Sequence, residues 1–367
     1  MKSRRVLAVL LGLSVAVCAV AQPERKPSKK KKKEDEEPVT QTLPLLKDPP
    51  AAAVGETERL VFHVSPLSAK GLLSPQIRDA LKVLFQENHG AGIIKLRAFV
   101  AGSGDLRRVQ TLVSEVFTEH KMNLPALSTI QVGALPMEGA QVVLESVAVE
   151  KKTVNPNGLA FFSGQQAKDY RQSLTQLRTA VGVVKAGEVL RVTCYLSSLD
   201  DVGAVRAAVS GAFPGTAANF VQLQRAAVEP LTECEAVGRL EAAPRANVEF
   251  VNPPGLTQNP NYSQVVLVKA PKIVYSGTQM AFGGEQADLR LAFGRLGKAL
   301  EPFDVTYKNV FWSGVYPLTR MVADTFRGTR FEFVDKSRPP ASTLLLFEGL
   351  PSLDASVAFE VIAAQGQ

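Results

Sequence analysis

Side chains able to do chemistry gather in a few short phrases of this 367-residue chain. Near the C terminus, Pro260-Asn261-Tyr262-Ser263-Gln264 precedes a short apolar strand, and Lys272-Ile273-Val274-Tyr275-Ser276-Gly277-Thr278-Gln279 follows it. Upstream, Leu159-Ala160-Phe161-Phe162-Ser163-Gly164-Gln165 repeats the second phrase. These phrases offer phenol, hydroxyl and amide groups for hydrogen bonding. A plainer role is also open: Ser-Gly pairs as turns and close-packing points, and Tyr262 as an amphipathic residue closing a seam. Metal chemistry finds no footing, because His63, His89 and His120 lack metal-ligand spacing. No cofactor is expected. Phosphate-loop and dinucleotide fingerprints are absent, and Gly102-Ser103-Gly104 reads as a strand-to-helix turn. Trp312 and Tyr316 fit core and rim positions better than a stacking platform.

The elements that must position these residues recur along the chain. Residues 94–100 alternate apolar and polar side chains and lead through Gly104-Asp105-Leu106 into a helix. Residues 190–196 do the same before Asp200-Asp201-Val202. Amphipathic helices are predicted ahead of these strands, over 74–86 and 170–184. A third copy reads as a helix over 286–300, a strand over 308–313 and a looser helix over 317–326. Closing strands follow Leu135-Pro136, Glu229-Pro230 and Leu350-Pro351, and a degenerate opening phrase, Leu60-Val61-Phe62-His63-Val64-Ser65, starts the first copy.

Each copy reads β-β-α-β-α-β. Two helices cover one face of such a sheet, yet the strands carry apolar residues on both. Three copies can bury the remaining faces against one another, so a monomer with internal threefold pseudo-symmetry is expected. The proline-bearing stretches give the boundaries: a first module over 59–152, a second over 153–243, a linker over 244–258 and a third module over 259–367.

In their order, these phrases resemble the reactive-intermediate deaminase (RidA, YjgF-like) family over about residues 59–365. The resemblance rests on Tyr262-Ser263-Gln264, on the Ser-Gly-x-Gln ending of the following strand, on the 190–205 segment and on the Leu-Pro endings with their closing strands. It implies an α+β fold of RidA-like (chorismate-mutase-like) modules forming an intramolecular pseudo-trimer, with ligand sites between modules and an opening hairpin in each. Family members hydrolyse enamines and imines to ketones and ammonia.

By the same resemblance, an arginine in a Pro-Ala-Arg-Thr-Thr phrase clamps the substrate carboxylate. A closing-strand glutamate positions water. The opening Tyr and Ser-Gly edge complete the pocket. Carried over, Glu233 takes the catalytic position, and Ser163, Gly164, Tyr262, Ser276 and Gly277 take the binding edge. Glu233 has a plainer alternative as a solvated residue at a seam. Val143 and Ala358 replace the first glutamate elsewhere, while Glu145, Glu235 and Glu360 match the second.

The arginine is missing from all three copies. Leu127 and Ser342 stand in two of them, and Asn219 is taken as the third, able to bind an amide or hydroxyl. Arg225, six residues further on, is a candidate substitute clamp. The expected function is therefore a degenerate member binding a small metabolite in an inter-module cleft, or a scaffold. The alternatives are an enamine/imine deaminase acting on 2-aminoacrylate-type intermediates and, more weakly, an endoribonuclease-type activity.

The N terminus differs from the rest. Lys2, Arg4 and Arg5 precede an apolar run over 6–17, and Ala19-Val20-Ala21 places small residues before a cut at Gln22. That reads as a secretory signal peptide over 1–21, too short to span a bilayer, with an exported protein as the result. Cys18 suits a lipid anchor less, because Val17 sits where a small residue is normally required. Residues 22–58, with a lysine run, an acidic run and six prolines, read as a disordered charged tether. Beyond it the chain holds 31 Lys+Arg against 27 Asp+Glu, too even a balance to suggest a nucleic-acid partner. No membrane span is expected. Cys194 and Cys234 fall in phase with apolar neighbours, as two buried hydrophobes or, in an oxidising compartment, a disulfide.

Overall fold

The computed structural model describes residues 46–102 and 104–366. The expected signal peptide, Cys18, the lysine and acidic runs of the tether, and Ser103 lie outside the described residues. The first third holds β1 (Ala52–Glu56), β2 (Leu60–Val64), α1 (Leu73–Glu87), β3 (Gly92–Ala101), α2 (Arg107–Glu119), β4 (Ala126–Val132) and β5 (Val142–Val149). Next come β6 (Leu159–Ala167), α3 (Tyr170–Val184), β7 (Ala186–Leu196), α4 (Val202–Ala212), β8 (Ala217–Gln222) and β9 (Thr232–Leu240). The last third holds β10 (Val248–Val251), β11 (Val265–Val268), β12 (Lys272–Ser276), β13 (Gln279–Phe282), α5 (Gln286–Leu300), β14 (Val310–Pro317), α6 (Arg320–Thr329), β15 (Ala341–Leu344) and β16 (Ala355–Gln365).

The fold is mixed α and β, with three sheets. The first runs β2-β5-β3-β4, the second β10-β11-β6-β9-β7-β8, and the third β1-β12-β16-β14-β15 with β13 also on β16. One strand order recurs: an opening strand, the closing strand, the strand after the first helix, then a parallel strand after the second helix. Local sequence explains the helices. α1 buries Leu73, Ile77, Ala80, Leu81 and Leu84 at helical spacing. α3 starts at Asp169, whose carboxylate accepts the backbone N–H groups of Arg171 and Gln172.

The expected opening hairpin does not form. β11 pairs with β6 in the second sheet, and β12 pairs with β1 in the third. The connection Lys269-Ala270-Pro271 offers no glycine or asparagine for the left-handed residue that a three-residue hairpin wants, and Pro271 has a fixed φ. The two strands therefore part into different sheets. Three boundaries change with them. Residues 52–56 of the expected tether form β1, with Val54 opposite Val274 and Ala52 buried against the third sheet. Residues 248–251 of the expected linker form β10, held by β11. Each sheet also carries a parallel strand, β4, β8 or β15, that the β-β-α-β-α-β reading did not count.

One face of each sheet packs on its helices, in three separate apolar clusters. The opposite faces meet each other. One shared cluster joins Phe62, Phe161 and Phe311, and another joins Phe99, Tyr195 and Tyr316, each drawing on all three sheets. Between these two apolar layers lies a polar one.

Candidate functional site

The closing strands β5, β9 and β16 build the polar layer. Each strand alternates faces, so glutamates two apart point the same way. Glu145, Glu235 and Glu360 are all buried at its centre. The register explains their meeting: Arg97 stands opposite Glu145, Thr193 opposite Glu235 and Gly314 opposite Glu360. Arg97 Nη2 lies 2.6 Å from carboxylate oxygens of both Glu145 and Glu235, and Lys95 Nζ lies 2.5 Å from Glu360. Arg191 approaches Glu145 and Glu235 at 3.7 and 3.8 Å. Three cations thus face three carboxylates. Burial alone would push Glu145 and Glu360 up. Arg97 and Arg191 overcome that at Glu145, and Lys95 and Arg97 do so at Glu360, holding both below the usual range.

Two residues before Glu235 on β9, Glu233 meets a different environment. Its level matches Val143 and Ala358 in the other closing strands: Tyr195 stands opposite Glu233, Phe99 opposite Val143 and Tyr316 opposite Ala358. Glu233 is therefore a carboxyl set at an apolar level. It is 4% exposed, and among the described residues no group donates a hydrogen bond to it. Burial, and then the charge of Glu235, pushes it up to about 8, with Arg327 opposing. Its carboxyl packs directly on Gly164, where an added Cβ would lie 1.8 Å from Oε1. Any larger residue there would force the Glu233 carboxyl to shift.

Gly164 is also a wall of a cavity of about 630 Å³ between the second sheet and the loop ahead of β11. Gln165, Gln176, Thr257, Tyr262 and Gln264 line it too, with Lys168 and Glu229 exposed at the rim. Burial, then Glu233, pushes the Tyr262 phenol up. Ser163 ties the two sides together. Its hydroxyl donates to the Ser263 carbonyl at 2.6 Å and accepts the Ser342 backbone N–H at 2.8 Å. No arginine lines this cavity. Arg330, which the sequence reading did not single out, donates to the Asn261 carbonyl behind the Tyr262 loop, and Arg327 pairs with Asp324.

The structure thus brings Ser163, Gly164, Glu233 and Tyr262 together. It places the other candidates elsewhere. Ala218, not Asn219, stands opposite Val192, level with Leu127 opposite Leu96 and Ser342 opposite Ser313. A one-residue slip turns a strand residue to the other face. Asn219 accordingly points into the polar layer and donates to Glu145 at 2.7 Å. Ser276 and Gly277 lie at the seam of the third and first sheets. There Lys95 donates to the Ser276 carbonyl, and Gly277 and Thr278 donate to Ala51 and Leu127 carbonyls. Arg225 falls beyond the end of β8, pairs with Glu348 at 3.3 Å and does not line the cavity at Gly164 and Tyr262. Cys194 and Cys234 stand opposite each other on β7 and β9 and form a disulfide.

With this geometry in view, comparisons with known proteins add the following. No family model and no curated protein sequence matches the chain. Among solved structures it is similar to a conserved Rid-family protein from Yersinia pestis, at 17% identity over 32% of this chain and 99% of that one, TM-score 0.29. It is also similar to a YjgF-family member from Neisseria meningitidis, at 14% identity over 33% and 96%, TM-score 0.25. A putative endoribonuclease L-PSP from Entamoeba histolytica matches at 18% identity over 32% and 98%, TM-score 0.24. Among the described residues no helix is long and apolar enough to cross a membrane.

Proposed function

We propose that this chain is an exported single-chain assembly of three RidA-like modules, in which the cleft lined by Gly164 and Tyr262, with Glu233 packed behind Gly164, binds a small neutral polar metabolite and does not hydrolyse an imine. The recurring strand order and helix placement support the three-module reading. The N-terminal sequence and the Cys194–Cys234 disulfide support an oxidising, exported location. The observation that carries the functional reading is Glu233 itself. It is a buried carboxyl, pushed up to about 8 and so mostly protonated at neutral pH, packed on Gly164, which is itself a wall of an amide- and phenol-lined cavity with no arginine in its lining. Such a carboxyl donates a hydrogen bond and carries no charge to recruit a cationic group. An anionic amino-acid-derived imine would need a guanidinium fork at its carboxylate. Ser342 stands where the resemblance asks for one, and the nearby Arg327 and Arg330 have other partners.

The reading is tested by generating 2-aminoacrylate in the presence of the protein and following ammonia. Release at the buffer rate is expected for the wild type and for Glu233→Ala alike. A wild-type rate above buffer that Glu233→Ala abolishes would establish the deaminase instead.

A further inference from the structure

The outer edges of the three opening strands are not treated alike. In the third sheet, β1 covers the edge of β12, placing Ala53 opposite Tyr275 and Gly55 opposite Ile273. In the second, β11 covers the edge of β6, placing Val266 opposite Phe161 and Val268 opposite Leu159. In the first, β2 pairs with β5 on one side and, among the described residues, with no strand on the other. Phe62, Phe161 and Tyr275 occupy one level, opposite Val147, Val237 and Ile362 of the closing strands.

The chain order shows which segment is missing. β1 precedes the first module's opening strand yet lies in the third sheet, and β11 precedes the third's yet lies in the second. By the same rotation, the segment ahead of β6 would cover β2. That segment, residues 151–157, is bends and turns. Pro156 interrupts it, the Val154 and Asn155 N–H groups donate to the Glu58 carbonyl, and the Asn155 amide caps Leu60.

The rest of the edge is left unsatisfied. Ser65 N–H donates to Leu144, so alternation turns the Phe62 and Val64 backbone groups away from β5. Among the described residues nothing bonds them there. They face a groove of about 670 Å³, walled by Val83 and Glu87 of α1 on one side and by Leu190 and Ala217 on the other. Unpaired strand edges template strand addition. A second copy of this chain cannot bring its own β2 within the ~4.8 Å strand spacing, because both edges sit between such walls. A single extended segment can enter.

We propose that the β2 edge is a docking site for a four- or five-residue extended aliphatic segment of a partner protein, which adds antiparallel to the first sheet. Its chemistry follows the two resident covers, Ala52–Glu56 and Val265–Val268: small or aliphatic residues along the paired stretch, the one charge, Glu56, standing at the strand end opposite Lys272.

The probe is a synthetic, end-blocked peptide carrying the sequence of residues 263–270. Hydrogen exchange of the full chain is read with and without peptide. The Phe62 and Val64 amides should slow at least tenfold. Two further peptides, N-methylated at alternate positions, separate strand addition from loose apolar contact without altering the protein. One of them should lose at least tenfold in affinity and the other should keep it. Equal binding of both methylated peptides, protection confined to residues 159–162 through displacement of β11, or no protection at millimolar peptide would each overturn the proposal. So would a stable dimer that already protects Phe62 and Val64 without peptide.

Discussion

Replacing Glu233 with glutamine should change how stability depends on pH, in a predictable direction. In the folded chain the Glu233 carboxyl holds its proton up to about 8, against an ordinary value of 4.5. Between these values unfolding releases a proton, so stability falls as pH rises. The contribution is complete below about 4.5 and is lost as pH climbs through about 8. At about 1.4 kcal/mol per unit, the whole span is worth about 5 kcal/mol. Because Glu233 is almost fully buried, solvent screening takes little from that figure. Glutamine has the same shape and no titration, so Glu233→Gln should lack this dependence. Urea unfolding of both proteins at pH 5, 6, 7, 8 and 9 gives the difference, in which groups common to both cancel. The variant should gain on the wild type by about 1 kcal/mol per pH unit and be clearly the more stable at pH 9. A flat difference would refute an uncharged Glu233, and a difference running the other way would mean a cation pairs with it.

Three further outcomes follow from the same packing. Gly164→Ala drives a methyl into the Glu233 carboxyl and should cost about 1–3 kcal/mol in urea unfolding, with most of the loss recovered in the Gly164→Ala/Glu233→Ala double variant. Arg97→Met strips Glu145 and Glu235 of their closest cation in a buried layer and should cost about 3–5 kcal/mol, and a near-neutral result would show that the layer tolerates unpaired carboxylates. Removing the Cys194–Cys234 link by a double serine substitution frees a loop of sequence separation 40 and should lower stability by up to about 4 kcal/mol, read as a fall in the urea midpoint.

Much of this architecture was legible in the sequence where periodicity was strong. The helices over 170–184 and 286–300 and the closing strand over 142–149 coincide with α3, α5 and β5. What escaped were features set by partners distant in the chain. β1 is five residues, Ala52-Ala53-Val54-Gly55-Glu56, after a proline-rich stretch, and only β12, more than two hundred positions away, makes it a strand. β11 and β12 look like a hairpin because they are adjacent and apolar, and nothing local says that they part. The site was half legible. Gly164 and Tyr262 line one cavity, and Glu233 packs on Gly164. Asn219 was misplaced by one residue, because residues 217–221 carry no proline to fix the register that Pro125 and Pro340 fix in the other copies. The ion layer of Lys95, Arg97 and Arg191 was invisible, since basic residues alternating along a strand read as an exposed face until a second sheet covers them.

The proposed function requires a cleft that prefers a neutral ligand. Amide-resolved NMR titration with propionamide and with its carboxylate counterpart, propionate, tests that preference directly. Propionamide should shift the Gly164, Gln165 and Tyr262 amides saturably, propionate should do so at least tenfold more weakly, and Glu233→Ala should remove the propionamide response. Tighter binding of propionate, or shifts that leave Gly164 and Tyr262 untouched, would contradict the account.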